Sequence, residues 1–273
     1  MRTIKNQILT STKIDSDNER ISTDKLFNIY LQIQNDSFLT QDHDLSKRPI
    51  AKLYNKQFIE IDDDEFAIVA DIDIFDEEAF KNYRGFSISY ISETFKLFPD
   101  KKAEIDIIFN PKYFDYKQIQ EIVNLSTDHF VISGNILKQK GIESTAILIL
   151  KFISASYVAG FFGKAGSNLY DKIKEKIRLI SKKTESTDRG KPKLHFIFDY
   201  KSENVEYNVL IELTPDQFDV IENKEIPLSS AYSFIEKKVG NSHIRKVAIK
   251  MINTSPYWSI IFFEDSEGKI IGF

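Results

Sequence analysis

The sequence predicts an α+β fold with a β-rich, barrel-like N-terminal domain, a Gly-interrupted central helix and a C-terminal α+β domain with an antiparallel sheet. Three observations carry this. Apolar residues recur at period two from Phe58 to Ile74 around the acidic run Asp62-Asp63-Asp64-Glu65. A long helical candidate, Thr145 to Lys183, contains Gly160, Gly163 and Gly166. Short β-like runs separated by turn residues fill the chain from Leu194 to Phe273. Alternation at period two reads as half-buried strand, and longer apolar stripes at three- and four-residue spacing read as helix.

Taken in order, Ile21 to Asn35 holds Leu26, Phe27, Ile29, Tyr30, Leu31 and Ile33 in a pattern that suits a short helix or a strand. Phe58 to Ile74 is a hairpin with its tip at the acidic run, followed by a short acidic helix from Glu77 to Tyr83. Phe86 to Ile91 and Ala103 to Phe109 alternate as strands, with a turn at Pro99-Asp100-Lys101-Lys102. Tyr116 to Leu125 reads as helix and Asp128 to Gly134 as strand.

Thr145 to Lys183 is the long helical candidate. Its glycines cost helix stability relative to Ala. Ala155, Ala159, Gly163 and Ser167 put small side chains four apart, an edge where a second copy of the chain could approach closely. Leu169, Ile173, Ile177 and Ile180 then continue an apolar stripe. Leu194 to Tyr200 and Tyr207 to Leu213 form a hairpin around Ser202-Glu203-Asn204. A helix from Leu228 to Val239 and three strands, Lys246 to Ile252, Trp258 to Glu264 and Ile270 to Phe273, complete the chain. This divides the sequence into a domain over 1–125, a linking strand and long helix over 126–190, and a domain over 191–273. No internal repeat recurs at a fixed period.

Composition narrows the chemistry. With 273 residues, 42% apolar and 29% charged, the chain can bury two cores and is not globally disordered. A net charge of −4 gives no general attraction for nucleic acid, so no nucleic-acid partner is expected. The absence of Cys excludes disulfides, thiolate nucleophiles and zinc–thiolate sites. Four His are too few for a His-rich metal cage, and no glycine-rich phosphate loop is present, so neither metal nor cofactor is expected. The first residues lack a basic segment leading into an apolar run, and the expectation is a cytoplasmic protein.

Two other features suggest chemistry. Asp71 and Asp73 share a strand face and could hold Mg²⁺ or Ca²⁺, although Ile72 and Ile74 on the other face make a solvent-facing hairpin side the plainer explanation. The tract from Lys164 to Lys193 holds ten basic and four acidic residues. It could touch an anionic membrane surface, nucleic acid or an acidic partner, or be a solvated helix face. His195 and His243 stand alone in the sequence, and His129 has only Asp128 beside it.

The constellation with most chemical content lies in the N-terminal part. His43 sits in Asp42-His43-Asp44, before Pro49-Ile50-Ala51-Lys52; Ser87 sits in Gly85-Phe86-Ser87-Ile88-Ser89-Tyr90; Glu104 opens Glu104-Ile105-Asp106-Ile107, which runs on to Pro111. This order and spacing resembles the prohead (capsid-maturation) serine proteases of tailed phages, over roughly residues 24 to 115. The resemblance implies His43 as general base, Ser87 as nucleophile and Glu104 as the carboxylate that orients the imidazole. A serine hydroxyl needs such a base, and the base needs a fixed tautomer. Ala51, Ser89 and Tyr90 stand where that family has Gly, Gly and Phe, and Ser89 shares a strand face with Ser87. The substrate implied is a protein segment. The alternative is a catalytically silent descendant, a phage-related or antiphage-defence interaction and oligomerisation module. It would self-associate through Ala155, Ala159 and Gly163 and make peripheral membrane contact through the central helix.

Overall fold

The structure, a computed structural model, describes residues 2–14, 20–40, 47–81, 88–140, 146–154, 168–184, 193–202, 205–213, 237, 244–252 and 257–272. The chain is α+β and rich in strand, with two sheets and four helices among the described residues. It divides into two compact units, one of Met1–Ile91 with Lys138–Ser144, the other of Ser92–Leu137 with Thr145–Phe273.

The first unit is built on an antiparallel four-stranded sheet. Its strands are β1 (Arg2–Ser11), β2 (Ser37–Leu39), β3 (Ala51–Asp62) and β4 (Glu65–Ile74), in the linear order β1-β4-β3-β2. The described strands therefore form an open sheet where a barrel was expected. The β3–β4 hairpin turns at Asp63-Asp64, with Asp64 in the left-handed region at φ 59°, which Asp tolerates better than most residues. Ile68, Ile72 and Ile74 of β4 are fully buried with Leu26 and Ile29 of α1 (Thr23–Gln32). Ser22 caps that helix by accepting the Lys25 N–H. At its other end Lys56 Nζ donates to Tyr30 O at 2.7 Å and to Ile33 O, a cation set on the negative end of the helix dipole. Helix thus wins over strand for Ile21 to Asn35 because Leu26 and Ile29 on one side of α1 meet the sheet while Leu31 stays exposed. A one-turn helix, α2 (Glu77–Lys81), follows β4.

The second sheet has nine strands in the order β13-β12-β11-β10-β9-β8-β6-β7-β5. They are β5 (Ile88–Lys96), β6 (Ile105–Phe109), β7 (Ile132–Lys140), β8 (Ile147–Phe152), β9 (Lys193–Ser202), β10 (Val205–Leu213), β11 (Ile244–Ile252), β12 (Tyr257–Asp265) and β13 (Ile270–Gly272). Pairs β6–β7, β8–β9 and β10–β11 are parallel, whereas β6–β8, β9–β10, β11–β12 and β12–β13 are antiparallel. The C-terminal strands accordingly belong to a mixed sheet rather than an antiparallel one. That sheet runs across residues 125 and 190, and one core joins Ile105 to Ile260.

One face of the sheet carries two helices, α3 (Tyr116–Val123) and α4 (Asn168–Thr184). Asp115 caps α3, whose Ile119, Ile122 and Val123 enter the core beside Ile173, Ile177 and Ile180 of α4. Lys176 of α4 reaches Glu121 of α3 at 2.6 Å. Burial lowers the pKa of Lys174 on α4, against the pull of Asp171.

The expected long helix is overturned at its start, because Ile147–Phe152 is strand β8. It is enclosed between β6 and β9, with Leu148, Leu150 and Phe152 buried in the helix-side core. Apart from the exposed Lys151, this central strand is apolar on both faces, and such a run cannot be separated from helix by periodicity. Ala155, Ala159, Gly163 and Ser167, the glycines at 160 and 166, and most of Leu228 to Val239 lie outside the described residues. Among the described residues no helix is long and apolar enough to cross a membrane.

Close approach governs β7 at Gly134. A Cβ added there would lie 2.1 Å from Cζ of Phe95 on neighbouring β5, so the ring occupies the space a side chain would need. Phe95 in turn packs on Tyr116 and edge-on to Phe109, with ring centroids 4.8 and 6.3 Å away.

Candidate functional site

His43 and Ser87 both lie outside the described residues, in the stretches 41–46 and 82–87. The segments that bracket them are described. On either side of the stretch with His43, Ile50 N–H donates to Leu39 O at 2.9 Å. The carbonyl of the same Ile50 accepts from Phe75 N–H at 2.9 Å and Asp76 N–H at 3.2 Å. Asp76 Oδ1 accepts the Ala79 N–H at 2.9 Å and so caps α2, the element that leads toward Ser87. One residue therefore ties the exit of the histidine loop to the entry of the serine segment.

Beyond the serine segment, Ile91 of β5 is gripped by Gln32 at the end of α1. Gln32 Nε2 donates to Ile91 O and Ile91 N–H donates to Gln32 Oε1, both at 2.7 Å. Ser89, two residues past Ser87, has a buried hydroxyl with no hydrogen-bond partner. Glu104, just before β6, accepts the Val131 N–H on its Oε2, while its backbone N–H donates to Val131 O at 2.8 Å. It lies in the second unit, where its carboxylate secures the approach to β7.

The two aspartates of β4 are occupied by the protein itself. Asp71 accepts from Lys5 Nζ at 2.8 Å, Asn6 N–H at 3.0 Å and Asn55 Nδ2 at 3.1 Å. These hydrogen bonds, the lysine's foremost, hold its carboxyl down at about 2. Asn6 and Asn55 have φ of 52° and 50°, and both sit where the register of their strands shifts against β4. Asp71 thus satisfies two bulges, one on each side of its strand. Asp73 accepts from Thr3 Oγ1 at 2.6 Å and Tyr54 OH at 3.2 Å. Among the described residues no group of three His, Asp or Glu side chains is placed to hold a metal ion.

A cluster that sequence reasoning missed lies on the nine-stranded sheet, on the face opposite α3 and α4. His195 of β9 is fully buried and pairs directly across the hairpin with Glu212 of β10. Its Nε2 lies 3.0 Å from Glu212 Oε2, which Lys193 Nζ also approaches at 3.0 Å. Its Nδ1 is buried with no hydrogen-bond partner. The signal was within reach. A hairpin closing Ser202 against Val205 places His195 opposite Glu212 by counting back along both strands. The same face carries a second polar chain, in which Thr94 Oγ1 donates to Asn135 Oδ1 and Asn135 Nδ2 to Ser133 Oγ, each at 2.8 Å, and Ser133 Oγ donates to Asp106.

Set against known proteins, the chain matches no family model, no curated protein and no solved structure.

Proposed function

We propose that this chain is a serine-peptidase-like protein of the prohead-protease type, acting on a protein segment through His43 and Ser87. The observation that best supports the reading is the convergence on Ile50. The loop containing His43 closes on its N–H, and the helix leading to Ser87 starts from its carbonyl. Such short tethers favour a pairing of residues 44 apart in sequence, as a base and a nucleophile require.

In this mechanism the Ser87 Oγ adds to the carbonyl carbon of the scissile peptide as its proton passes to the neutral His43 imidazole. Collapse of the tetrahedral adduct breaks the C–N bond, and the imidazolium returns the proton to the leaving amine. A water then repeats the sequence on the acyl ester and frees the serine. Glu104 has one oxygen engaged by Val131, and the proposal rests on His43 and Ser87.

The test is labelling with a fluorophosphonate probe, read by intact mass. One adduct is expected on the wild-type protein and on Ser89→Ala, and none on Ser87→Ala or His43→Ala. A folded wild-type protein that takes no adduct refutes the reading and favours the silent interaction module.

A further inference from the structure

We infer that copies of this chain associate head to tail, the aromatic patch on α1 and the β3–β4 hairpin of one copy receiving the exposed face of α4 of the next. Neither surface involves His43 or Ser87. Phe27 and Leu31 sit one turn apart on α1 and are 45% and 60% exposed. The Phe27 ring meets Phe58 of β3 edge-on at 5.5 Å and stacks beside Tyr30 at 6.0 Å, and Phe58 stacks on Phe66 of β4 at 5.5 Å. Tyr30, Phe58 and Phe66 are themselves partly exposed. Four rings and a leucine thus form one apolar patch open to solvent, the kind of surface that marks a contact with another molecule.

The rim of the patch selects the partner. Asp24 precedes Phe27 by three residues on α1, Glu60 pairs across the hairpin with Phe66, and Asp63 and Asp64 form the hairpin tip. All four are exposed, and none is in an ion pair among the described residues. The neighbouring bases are engaged already, Lys13 by Asp62, Arg20 by Glu65 and Lys56 by the carbonyls of Tyr30 and Ile33, which leaves Lys25 against four carboxylates. An apolar patch inside an acidic rim fits a basic face with an apolar centre. On α4, Leu179 is 52% exposed. Lys172 and Lys176 stand seven and three residues before it, and Lys182 and Lys183 three and four residues after it, spacings that share one side of a helix; Glu175 is the one acid at such a spacing. Over its length α4 carries six basic and two acidic residues. Both surfaces lie open on the chain that carries them and their charges are opposite, so each copy offers what the next one takes. A contact between unlike surfaces repeats from copy to copy, and opposed rims of charge orient the encounter.

The test is the mass in solution, read by light scattering over a concentration series in low and in high salt. It compares the full-length wild type, Leu31→Lys, Leu179→Glu and an equimolar mixture of the two variants. The wild-type mass is expected to rise with concentration and to fall back toward the monomer in high salt, which screens exposed charges. Each substitution should weaken association about tenfold or more, since it removes an apolar side chain and sets like charge against the opposing surface. The mixture should associate again, because the intact patch of Leu179→Glu meets the intact α4 of Leu31→Lys; copies meeting through one shared surface would gain nothing from mixing. Both side chains are largely exposed, so thermal midpoints should match the wild type, and Glu60→Lys on the patch rim supplies a second variant if one does not. A wild-type protein that stays monomeric at every concentration, an oligomer indifferent to these substitutions, or a mixture no larger than its components overturns the inference.

Discussion

Replacing Gly134 with Ala adds one methyl group where β7 has no room for it. The new Cβ would stand 2.1 Å from Cζ of Phe95 and 2.5 and 2.6 Å from two further ring carbons. Carbon atoms in contact sit about 3.5–4.0 Å apart, so the ring or the strand must give way by about 1.5 Å. The ring has little freedom to retreat, with Tyr116 against it and Phe109 at its edge. Overpacking of this kind costs about 1–3 kcal/mol. Against that, Ala restricts the unfolded chain and returns about 0.4–1 kcal/mol. The net expectation is a loss of about 1–2 kcal/mol. Urea unfolding followed by tryptophan fluorescence suits the measurement, because the chain's one Trp, Trp258, lies in β12 of the same sheet. The midpoint should fall with the slope unchanged. Phe95→Leu should be less harmful in the Gly134→Ala background than in the wild type, giving a coupling of about 1 kcal/mol. A Gly134→Ala protein as stable as wild type, or strictly additive effects of the two changes, would refute the argument.

Three further outcomes are expected. The Asp71 carboxyl is held at about 2 in the fold, below its ordinary 3.8, so its contribution to stability is complete above about pH 4 and disappears as pH falls through 2. Thermal melts of wild type and Asp71→Asn should therefore differ at neutral pH and converge between pH 4 and 2, and a pH-independent gap would count against the ion-pair explanation. Glu104→Ala should cost about 1–3 kcal/mol by stranding the Val131 N–H, and Glu104→Gln, which keeps an acceptor, much less. If Glu104→Gln instead abolishes fluorophosphonate labelling at unchanged stability, the carboxylate orients the histidine after all. Glu212→Ala should destabilise the nine-stranded sheet by about 2–3 kcal/mol, read by Trp258, because it leaves the buried His195 Nε2–H without its acceptor; Glu212→Gln should recover most of that.

Local pattern carried the sequence reading wherever one strand or helix had a wet side. The β3–β4 hairpin announces itself through alternation and an acidic tip, and Ile173, Ile177 and Ile180 mark the inner stripe of α4. β1 escapes notice because its ten residues are mostly polar, its outer positions are exposed, and register shifts at two points break its period. β8 misleads for the opposite reason, being apolar at every position except Lys151. The parallel pairing of β10 with β11 depends on contacts between segments more than thirty residues apart, which no window of sequence reports. As for chemistry, His195 looks isolated until β9 and β10 are folded onto each other, and the hydrogen bond of Glu104 with Val131 joins residues far apart along the chain. Sequence proximity is a poor guide to either.

The boundary between the two units also carries a consequence for synthesis. The first unit recruits Lys138–Ser144, although 46 residues assigned to its neighbour, Ser92–Leu137, intervene. A ribosome therefore releases the four-stranded sheet early but withholds the unit's last piece until most of β6, α3 and β7 has been made. Truncation after Ile91 would omit Lys138–Ser144 from the first unit, whereas one ending beyond Ser144 would contain the whole of that unit but leave β6 without β8, its partner on one edge. No single cut of the chain gives two complete units.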